Sequence, residues 1–364
     1  MQILSGLFLS LGITGCFNLA SSEKVAERCV EANVKKAPTS YALIFFNNEN
    51  QAYDVWGNAS KLNLERYDYL PQGAAMSPNG EWLALHTTKP DEQVLWVLSA
   101  DGQVQSTDWD KIWFDEFEWL NNNQIILRDR DHTIYILDPF TDQIKTLELS
   151  LPDFLSDPVP TPLWPYFRYI VPSPDIERAA YLRNSAEGIT NDGLSLWDVQ
   201  RNLIIWNRFS SDALRVRPEW SSDSQHLAVA WNNSKTVGEY HYEVSIIDRI
   251  GEETQITDLS KYFTQVAIWR LSWSPNQHFL AMWLDIPEQG KEIGEPKLFL
   301  LNLQTHQLVN LCVQGPFDGT SPIVWSPDSK YLTFESKHVT VVNITDFTST
   351  VLPSGQVIGW MKSK

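Results

Sequence analysis

Apolar and polar residues alternate over short runs along most of the chain, and these runs come in pairs separated by turn-forming residues. The run from Trp325 to Phe334, WSPDSKYLTF, shows the pattern clearly. A large aromatic ends one extended run, a Ser-Pro-Asp-Ser turn reverses the chain, and a second alternating run begins. Alternation with a period of two, punctuated by Pro, Asp, Asn, Ser and Gly, predicts β-hairpins. We expect a short helix in only one segment, 21–36.

Imperfect copies of this turn recur, and each is preceded by an anchor residue. The anchors are Met76, Trp119, Pro172, Trp220, Trp273 and Trp325, spaced 43 to 53 residues apart. A second hairpin follows each copy, so one repeat contains four short strands. A period of about 50 residues with four strands per unit predicts an all-β fold, a β-propeller of four-stranded blades. Pro presets φ for the turn, and Asp or Asn followed by Ser or Gly tolerates the far side of the turn. We expect each anchor Trp to pack against the next blade.

The two ends of the chain predict how the ring closes. The C-terminal run QVIGWMK holds Trp360 but provides a single strand, whereas 41–65 provides strands with no first strand before them. Together they predict a composite blade, which would leave no exposed edge in the ring. Six complete copies and one composite blade give seven blades. The alternative is six blades, if the degenerate copy around Trp119 merges with a neighbour.

The recurring Trp-Ser-Pro-Asp turn resembles the once-per-blade element of TolB-type and WD-like propeller repeats. The resemblance covers roughly residues 40–364 and rests on the anchor motifs, not on the loops. Proteins of the TolB type work by binding partners in the cell envelope, so the resemblance implies a binding role.

The N-terminus carries the pattern of an exported lipoprotein. Residues 1–15 form an uncharged apolar run that is too short to span a bilayer and resembles a signal peptide. The run from Ile13 to Cys16 resembles a bacterial lipoprotein box, which implies cleavage before Cys16 and its lipidation. Phe17 follows, and by resemblance to enterobacterial sorting this implies the periplasmic side of the outer membrane; secretion or an inner-membrane anchor are the alternatives. We therefore divide the chain into a signal peptide (1–15), a lipidated tether (16–39) and a propeller domain (40–364).

With Cys16 lipidated, Cys29 and Cys312 remain as a pair in an oxidising compartment. A disulfide between them would pin the tether to the penultimate blade. The alternative is two unpaired, buried thiols.

The net charge is −17 at pH 7. Such acidity excludes the basic surface on which nucleic-acid binding depends, and it offers no basic patch for anionic lipids. Membrane attachment would therefore rest on the lipid anchor.

Loop lengths predict which face of the propeller binds a partner. The turns between the first and second strands and between the third and fourth strands are short, whereas the connections on the opposite face are long and irregular. Long loops on a rigid scaffold are where binding sites usually lie, and aromatic residues and Arg are enriched at interface anchors. The predicted partner-binding face comprises Trp109, Trp113, Trp164, Tyr166, Arg168, Arg215, Arg217, Tyr262 and Phe317.

The sequence shows no nucleophile elbow, no phosphate-binding loop and no zinc motif, so we assign no catalytic residue, metal ligand or cofactor. The charged run Arg128 to His132 falls in a hairpin and predicts a solvated turn; the alternative is a polar contribution to the channel mouth. The leading hypothesis is a lipid-anchored, non-catalytic module that binds a protein or peptide on its long-loop face. The alternative is a hydrolase or lyase acting on a glycan or small molecule at the channel mouth. Three or more polar side chains converging at that mouth would favour the enzyme.

Overall fold

The computed structural model shows seven antiparallel sheets that form the blades of a β-propeller. It describes residues 25–32, 38, 40–49, 52–57, 73–89, 92–108, 114, 116–129, 133–147, 170–183, 192–210, 216–234, 236, 238–287, 296–315 and 321–363. The all-β class and the seven-bladed architecture predicted from the repeat are both confirmed.

The described residues contain 29 strands and a 3-10 turn at Leu259–Lys261. In chain order the strands are β1 (Ala26–Glu27), β2 (Glu31–Ala32), β3 (Tyr41–Asn47), β4 (Ala52–Trp56), β5 (Gly73–Met76), β6 (Trp82–Lys89), β7 (Glu92–Ser99), β8 (Val104–Asp108), β9 (Glu116–Trp119), β10 (Ile125–Arg128), β11 (Ile134–Asp138), β12 (Gln143–Thr146), β13 (Ile170–Pro172), β14 (Arg178–Arg183), β15 (Asp192–Asp198), β16 (Leu203–Ser210), β17 (Glu219–Trp220), β18 (His226–Asn232), β19 (Tyr242–Asp248), β20 (Glu253–Gln255), β21 (Ala267–Trp273), β22 (Phe279–Asp285), β23 (Lys297–Asn302), β24 (Leu308–Gln314), β25 (Val324–Trp325), β26 (Tyr331–Glu335), β27 (Val339–Asn343), β28 (Thr348–Val351) and β29 (Gly355–Lys362).

Blades 1 to 6 each contain four consecutive strands, starting at β5, β9, β13, β17, β21 and β25. The six anchor residues predicted from the repeat are the last residues of these six first strands. Blade 7 is the composite blade, because the C-terminal β29 pairs antiparallel with β3 and β3 pairs with β4. The two termini therefore close the ring.

The turn that follows the first strand is built in the same way in five blades. Its first residue is a buried Ser whose hydroxyl donates to the Asn or Asp two residues later and accepts the backbone N–H five residues later, as in Ser221 with Asp223 (2.6 Å) and His226 (3.0 Å). The fourth residue is left-handed, with φ between 60° and 71° at Gly80, Ile176, Ser224, Gln277 and Ser329. Ser, Asx and a tolerant fourth residue are thus what this turn requires.

The anchor tryptophans join neighbouring blades by a repeated hydrogen bond. Each indole N–H donates to a first-strand carbonyl of the preceding blade: Trp119 to Ala75 (3.0 Å), Trp220 to Val171 (2.9 Å), Trp273 to Glu219 (2.8 Å) and Trp325 to Ser272 (3.3 Å). The expectation that each Trp packs against the next blade is therefore wrong in direction. The indole reaches the preceding blade because its N–H lies opposite the free carbonyl of that blade's innermost strand.

The N-terminal segment 25–32 forms two short strands, so the helix expected within 21–36 is wrong for the residues described. We call this segment the strap. β1 adds in parallel to the outer edge of β24 in blade 5, and β2 adds in parallel to the outer edge of β28 in blade 6. Strand edges with unpaired backbone groups outcompete a local helix that would be too short to be stable alone. Cys29 and Cys312 form a disulfide between the strap and β24. Among the described residues, no helix is long and apolar enough to cross a bilayer.

His86 in β6 predicts an acid-sensitive step in stability. Its side chain is 4% exposed, with ring centroids 4.4 Å from Phe114 and 6.0 Å from Phe117. Burial lowers the pKa of His86 from 6.5 to about 4. Because the folded pKa is depressed, the unfolded chain takes up the proton first, and stability falls as the pH drops from about 6.5 towards 4. The full effect is on the order of 3 kcal/mol.

The measurement is the free energy of unfolding of wild type and His86→Phe between pH 7 and 5. The carboxyls of Asp175 and Asp223 have pKa values lowered below their usual range, so they titrate mainly below this window. We expect the variant to lose much of the wild-type slope. Equal slopes in the two proteins would contradict the assignment to His86.

Candidate functional site

The first strands of the blades surround a central cavity of about 440 Å³. Pro78, Pro174, Pro275 and Pro327, which lie in the short turns after these strands, line it towards one mouth. Glu118, Arg217, Glu219 and Arg270 line it one or three residues before the strand-ending anchors, farther from the prolines along the chain. The volume lies within the usual range for sites that bind small ligands. The cavity is therefore apolar and proline-lined at one end and charged at the other.

The strand bounds confirm the predicted asymmetry between the two faces. Every connection between the first and second strands of blades 1 to 6 is five residues long, for example 221–225 in blade 4. On the opposite face, the connections 147–169, 256–266 and 286–296 are about two to almost five times longer, although 90–91 and 336–338 are short. The charged end of the cavity opens onto this long-loop face, because the first strands start there.

Glu118 is the centre of the charged cluster. Its Oε1 accepts hydrogen bonds from Nη2 of Arg217 at 2.8 Å and from Nη2 of Arg128 at 3.0 Å. Arg128 comes from blade 2, like Glu118, whereas Arg217 precedes the first strand of blade 4. Arg128 also donates to the carbonyl of Ile170 in blade 3 at 3.2 Å. The cluster thus connects three consecutive blades around the mouth.

Arg217 stays positively charged in this cluster. Burial lowers the pKa of its guanidinium, but attraction to Glu118 and Glu219 and the hydrogen bond to Glu118 outweigh that effect and raise the pKa above its usual value. Its side chain is 27% exposed, and its Nε is buried without a hydrogen-bond partner among the described residues. The buried Nε is out of reach of a ligand, so only the exposed part of the guanidinium can donate to an anionic oxygen.

The solvated hairpin expected for the run Arg128 to His132 is wrong at its first residue. The Arg128 side chain is 9% exposed and is held by Glu118 and Glu116, with Nη1 3.9 Å from Glu116 Oε2. A buried arginine is retained only where carboxylates and carbonyls replace its hydration, as they do here. Asp129 caps the hairpin through the N–H of Thr133, and Arg130 to His132 lie outside the described residues.

Tyr262 lies on the same face as Arg217 and follows the 3-10 turn between blades 4 and 5. The buried carboxylate of Glu243 holds this turn, accepting the N–H groups of Leu259 (2.8 Å) and Ser260 (2.9 Å) and the hydroxyl of Thr257 (2.6 Å). Tyr262 itself is 37% exposed. A buried carboxylate thus fixes the backbone that presents an exposed aromatic ring.

The predicted partner-binding residues fall mostly outside the described part of the chain. Arg217 and Tyr262 are described and lie on the long-loop face. Cys16 is outside the described residues, as are Trp109, Trp113, Trp164, Tyr166, Arg168, Arg215 and Phe317.

Sequence reasoning missed four residues that build the site, namely Glu118, Glu219, Arg270 and Glu243. Glu118 and Glu219 each come directly before an anchor Trp. A charged residue directly before the anchor of the innermost strand faces either the channel or the neighbouring blade. Its position relative to the anchor could therefore have identified it as a candidate for the site. Nothing in the local pattern distinguishes Glu243 from the outward-facing acids of other strands. The described residues contain no group of three or more His, Cys, Asp or Glu that could hold a metal ion.

Neither a family model nor a curated protein matches this chain. Solved structures match it by fold. One, an oligogalacturonate lyase in complex with manganese, is 12% identical, with 87% of this chain and 85% of that chain covered at a TM-score of 0.54. The oligogalacturonate lyase from Vibrio parahaemolyticus is 10% identical over the same shares, with a TM-score of 0.53. Hydrazine synthase from Kuenenia stuttgartiensis is 16% identical, with 75% and 76% covered and a TM-score of 0.47. At these identities the likeness shows the fold alone, and the chain is a seven-bladed β-propeller.

Proposed function

We propose that this protein is a lipid-anchored module of the bacterial cell envelope that binds a protein or peptide partner on its long-loop face without catalysis. The observation that carries the proposal is the charged mouth of the channel on the long-loop face, although its four converging polar side chains also meet the criterion that favours an enzyme, the second candidate. Glu118, Arg217, Glu219 and Arg270 come from blades 2, 4 and 5 and line one opening. A rigid ring holds these groups in place before the partner arrives, which lowers the ordering cost of binding.

The chemistry of the mouth indicates which part of a partner it receives. Arg217 shares the Glu118 carboxylate with Arg128, so an incoming carboxylate would bind to a guanidinium that is already fixed in position. The exposed ring of Tyr262 lies on the same face, and Arg and Tyr are residue types that dominate interface energetics. The partner segment therefore carries an acidic side chain or a free C-terminal carboxylate.

The anchor and the compartment belong to the same proposal. The lipoprotein box ending at Cys16 supports lipidation, and the TolB-type resemblance of the blade anchors supports a role in the envelope. The disulfide between Cys29 and Cys312 is consistent with an oxidising compartment such as the periplasm.

Site-specific photo-crosslinking in cells tests the binding face. A crosslinking amino acid at Tyr262 is expected to capture a discrete partner, whereas the same group at Ile250 is not. Ile250 is 72% exposed and lies in a turn of blade 4 on the short-turn face, so it is a matched control. Arg217→Ala is expected to reduce the capture at Tyr262 about tenfold or more. Arg201→Ala removes a 76%-exposed arginine from the short-turn face and should leave capture unchanged. Capture from Ile250 but not from Tyr262 would contradict the proposed face.

An enzyme acting at the channel is the second candidate, because four ionisable side chains from three blades converge there. An oligogalacturonate lyase shares the fold, which makes an oligouronide a reasonable first substrate to test. The assay incubates the full-length protein with oligogalacturonate, with and without Mn²⁺, and follows the ultraviolet absorbance of the unsaturated product. Turnover that is lost in Arg217→Ala would replace the binding proposal with the enzymatic one.

A further inference from the structure

The strap joins two blades across their outer rim. β1 pairs with Val309 and Asn310 of β24, and β2 pairs with Thr348 and Ser349 of β28. Between these strands, the N–H of Arg28 donates to Asn310 (2.9 Å), that of Val30 to Leu311 (3.2 Å) and that of Glu31 to Phe347 (3.1 Å). The strap therefore crosses the seam between blades 5 and 6.

Among the described residues, the non-covalent contacts that hold the strap are few and lie at the surface. Each of its two ladders is only two residues long. Val25, Ala26 and Val30 pack against the blade cores but remain partly exposed. The guanidinium of Arg28 lies 4.9 Å from the ring centroid of Phe347, at the surface. These contacts must offset the ordering of eight residues, each of which loses backbone freedom. The covalent bond between Cys29 and Cys312 keeps the strap bound to the edges of β24 and β28, and we call this arrangement the closed state.

The disulfide is accessible to reductants, since Cys29 and Cys312 are both exposed. Thiol–disulfide exchange requires that an attacking thiolate reach one sulfur in line with the S–S bond, and burial is what ordinarily prevents it. Neither cysteine contributes to a buried core cluster among the described residues. Opening the bond therefore does not require the blades to unfold.

We infer that the strap is a redox-controlled clasp. While the disulfide is intact, the bound strap limits the distance between the propeller and its lipid anchor, and reduction releases the strap and increases that distance. A dithiol reductant attacks one sulfur through its thiolate and forms a mixed disulfide, and the displaced cysteine thiolate takes up a proton. The second thiol of the reductant then closes its own disulfide and releases the other cysteine as a thiol. The protein gains two electrons and two protons, the reductant loses them, and the strap leaves the rims of β24 and β28.

Release of the strap would increase the distance that the propeller can reach from the membrane. This consequence rests on the proposed lipid anchor at Cys16. Val25, where the bound strap begins, is nine positions after Cys16, whereas Ser40 at the start of the propeller is 24 positions after it. An extended chain covers at most about 3.5 Å per residue, so the limit of reach rises from about 30 Å to about 80 Å. Reduction thus allows the long-loop face to engage partners farther from the membrane.

Hydrogen exchange on the full-length protein tests the release of the strap. Dithiothreitol is expected to speed amide exchange at Arg28, Val30 and Glu31 about tenfold or more. Amides of β23 and β27 serve as internal controls and should stay protected. The double variant Cys29→Ser/Cys312→Ser should show fast strap exchange without reductant, while its blade amides remain like those of the wild type. Strap amides that stay protected after complete reduction, verified by thiol alkylation, would overturn the clasp.

The reach is measured separately, as the height of the propeller above a supported bilayer by neutron reflectometry, before and after reduction. An increase supports the inference, whereas an unchanged height with a released strap would refute the effect on reach. Cys16→Ser tests the proposed lipid anchor separately. If this variant still binds the bilayer, the proposal of a lipid anchor at Cys16 is wrong. The hydrogen-exchange result for the strap does not depend on that outcome.

Discussion

Deletion of residues 355–364 is expected to abolish the stable monomeric fold. This segment contains β29, the innermost described strand of blade 7, which pairs with β3 along its whole length. Trp360 is 1% exposed and Met361 is fully buried, and they belong to separate core clusters on the two sides of the blade. Burial of two such side chains alone contributes about 4–6 kcal/mol, against a total stability on the order of 5–15 kcal/mol. Loss of the strand also exposes the edge of β3 to pairing with other chains.

Thermal unfolding and size-exclusion chromatography check this expectation. The truncated protein should show no cooperative transition near that of the full chain, and it should elute as higher oligomers. Removal of residues 363 and 364 alone is the control and should cost at most about 1 kcal/mol, because β29 ends at Lys362 and Ser363 adds one backbone hydrogen bond, to Ser40 (2.9 Å). A chain ending at Ser354 that melts like the full-length protein would show that the composite blade does not close the ring.

Trp220→Ala is expected to destabilise the protein by about 3–5 kcal/mol. The indole is 9% exposed and packs against Val171, Leu194 and Leu196 of the preceding blade. Its N–H also donates to the carbonyl of Val171 at 2.9 Å across the seam. The alanine variant therefore leaves both a cavity and an unsatisfied carbonyl between blades 3 and 4.

Trp220→Phe separates the two contributions, because it keeps an aromatic ring and removes the donor. We expect this variant to cost about 1–2 kcal/mol. The free energy of unfolding from urea denaturation provides the comparison for both variants. If Trp220→Ala and Trp220→Phe both lower the free energy of unfolding by the same amount, below about 1 kcal/mol, the Trp220 indole does not stabilise the contact between blades 3 and 4.

The repeat made the blades predictable, because five of the seven blades form the turn after their first strand from the same residue types. A buried Ser, an Asx and a left-handed fourth residue define the turn, and the anchor before it ends the first strand. Even the degenerate anchors Met76 and Pro172 ended their strands as predicted. Period and turn chemistry are local properties, so one sequence sufficed to count seven blades.

The charged mouth could not be predicted in the same way, because its members meet only when the ring closes. Glu118 and Arg217 are 99 residues apart in sequence and share a hydrogen bond. The local pattern around Arg128 predicts a solvated hairpin, whereas its side chain is held by Glu116 and Glu118 of its own blade and by the Ile170 carbonyl of blade 3. The strap was misread for a similar reason: residues 25–32 adopt strands because β24 and β28 offer open edges, not because of their own periodicity.

The indole hydrogen bonds do not run evenly around the ring, and this divides the propeller into cooperative units. They join blade 1 to blade 2 and connect blades 3, 4, 5 and 6 in an unbroken series. At the start of blade 3 the anchor is Pro172, which has no N–H to donate, and the Trp360 indole nitrogen of blade 7 has no partner among the described residues. Blades 3 to 6 therefore form a continuous indole-linked series, and other contacts join the blades at its ends, such as Asn121 Nδ2 to the Pro174 carbonyl (2.9 Å) between blades 2 and 3. We expect sub-global opening to begin at the seams that lack an indole hydrogen bond. The charged mouth, which reaches from blade 2 to blade 4, spans one of these seams, so we expect a ligand bound there to stabilise that seam of the ring as well.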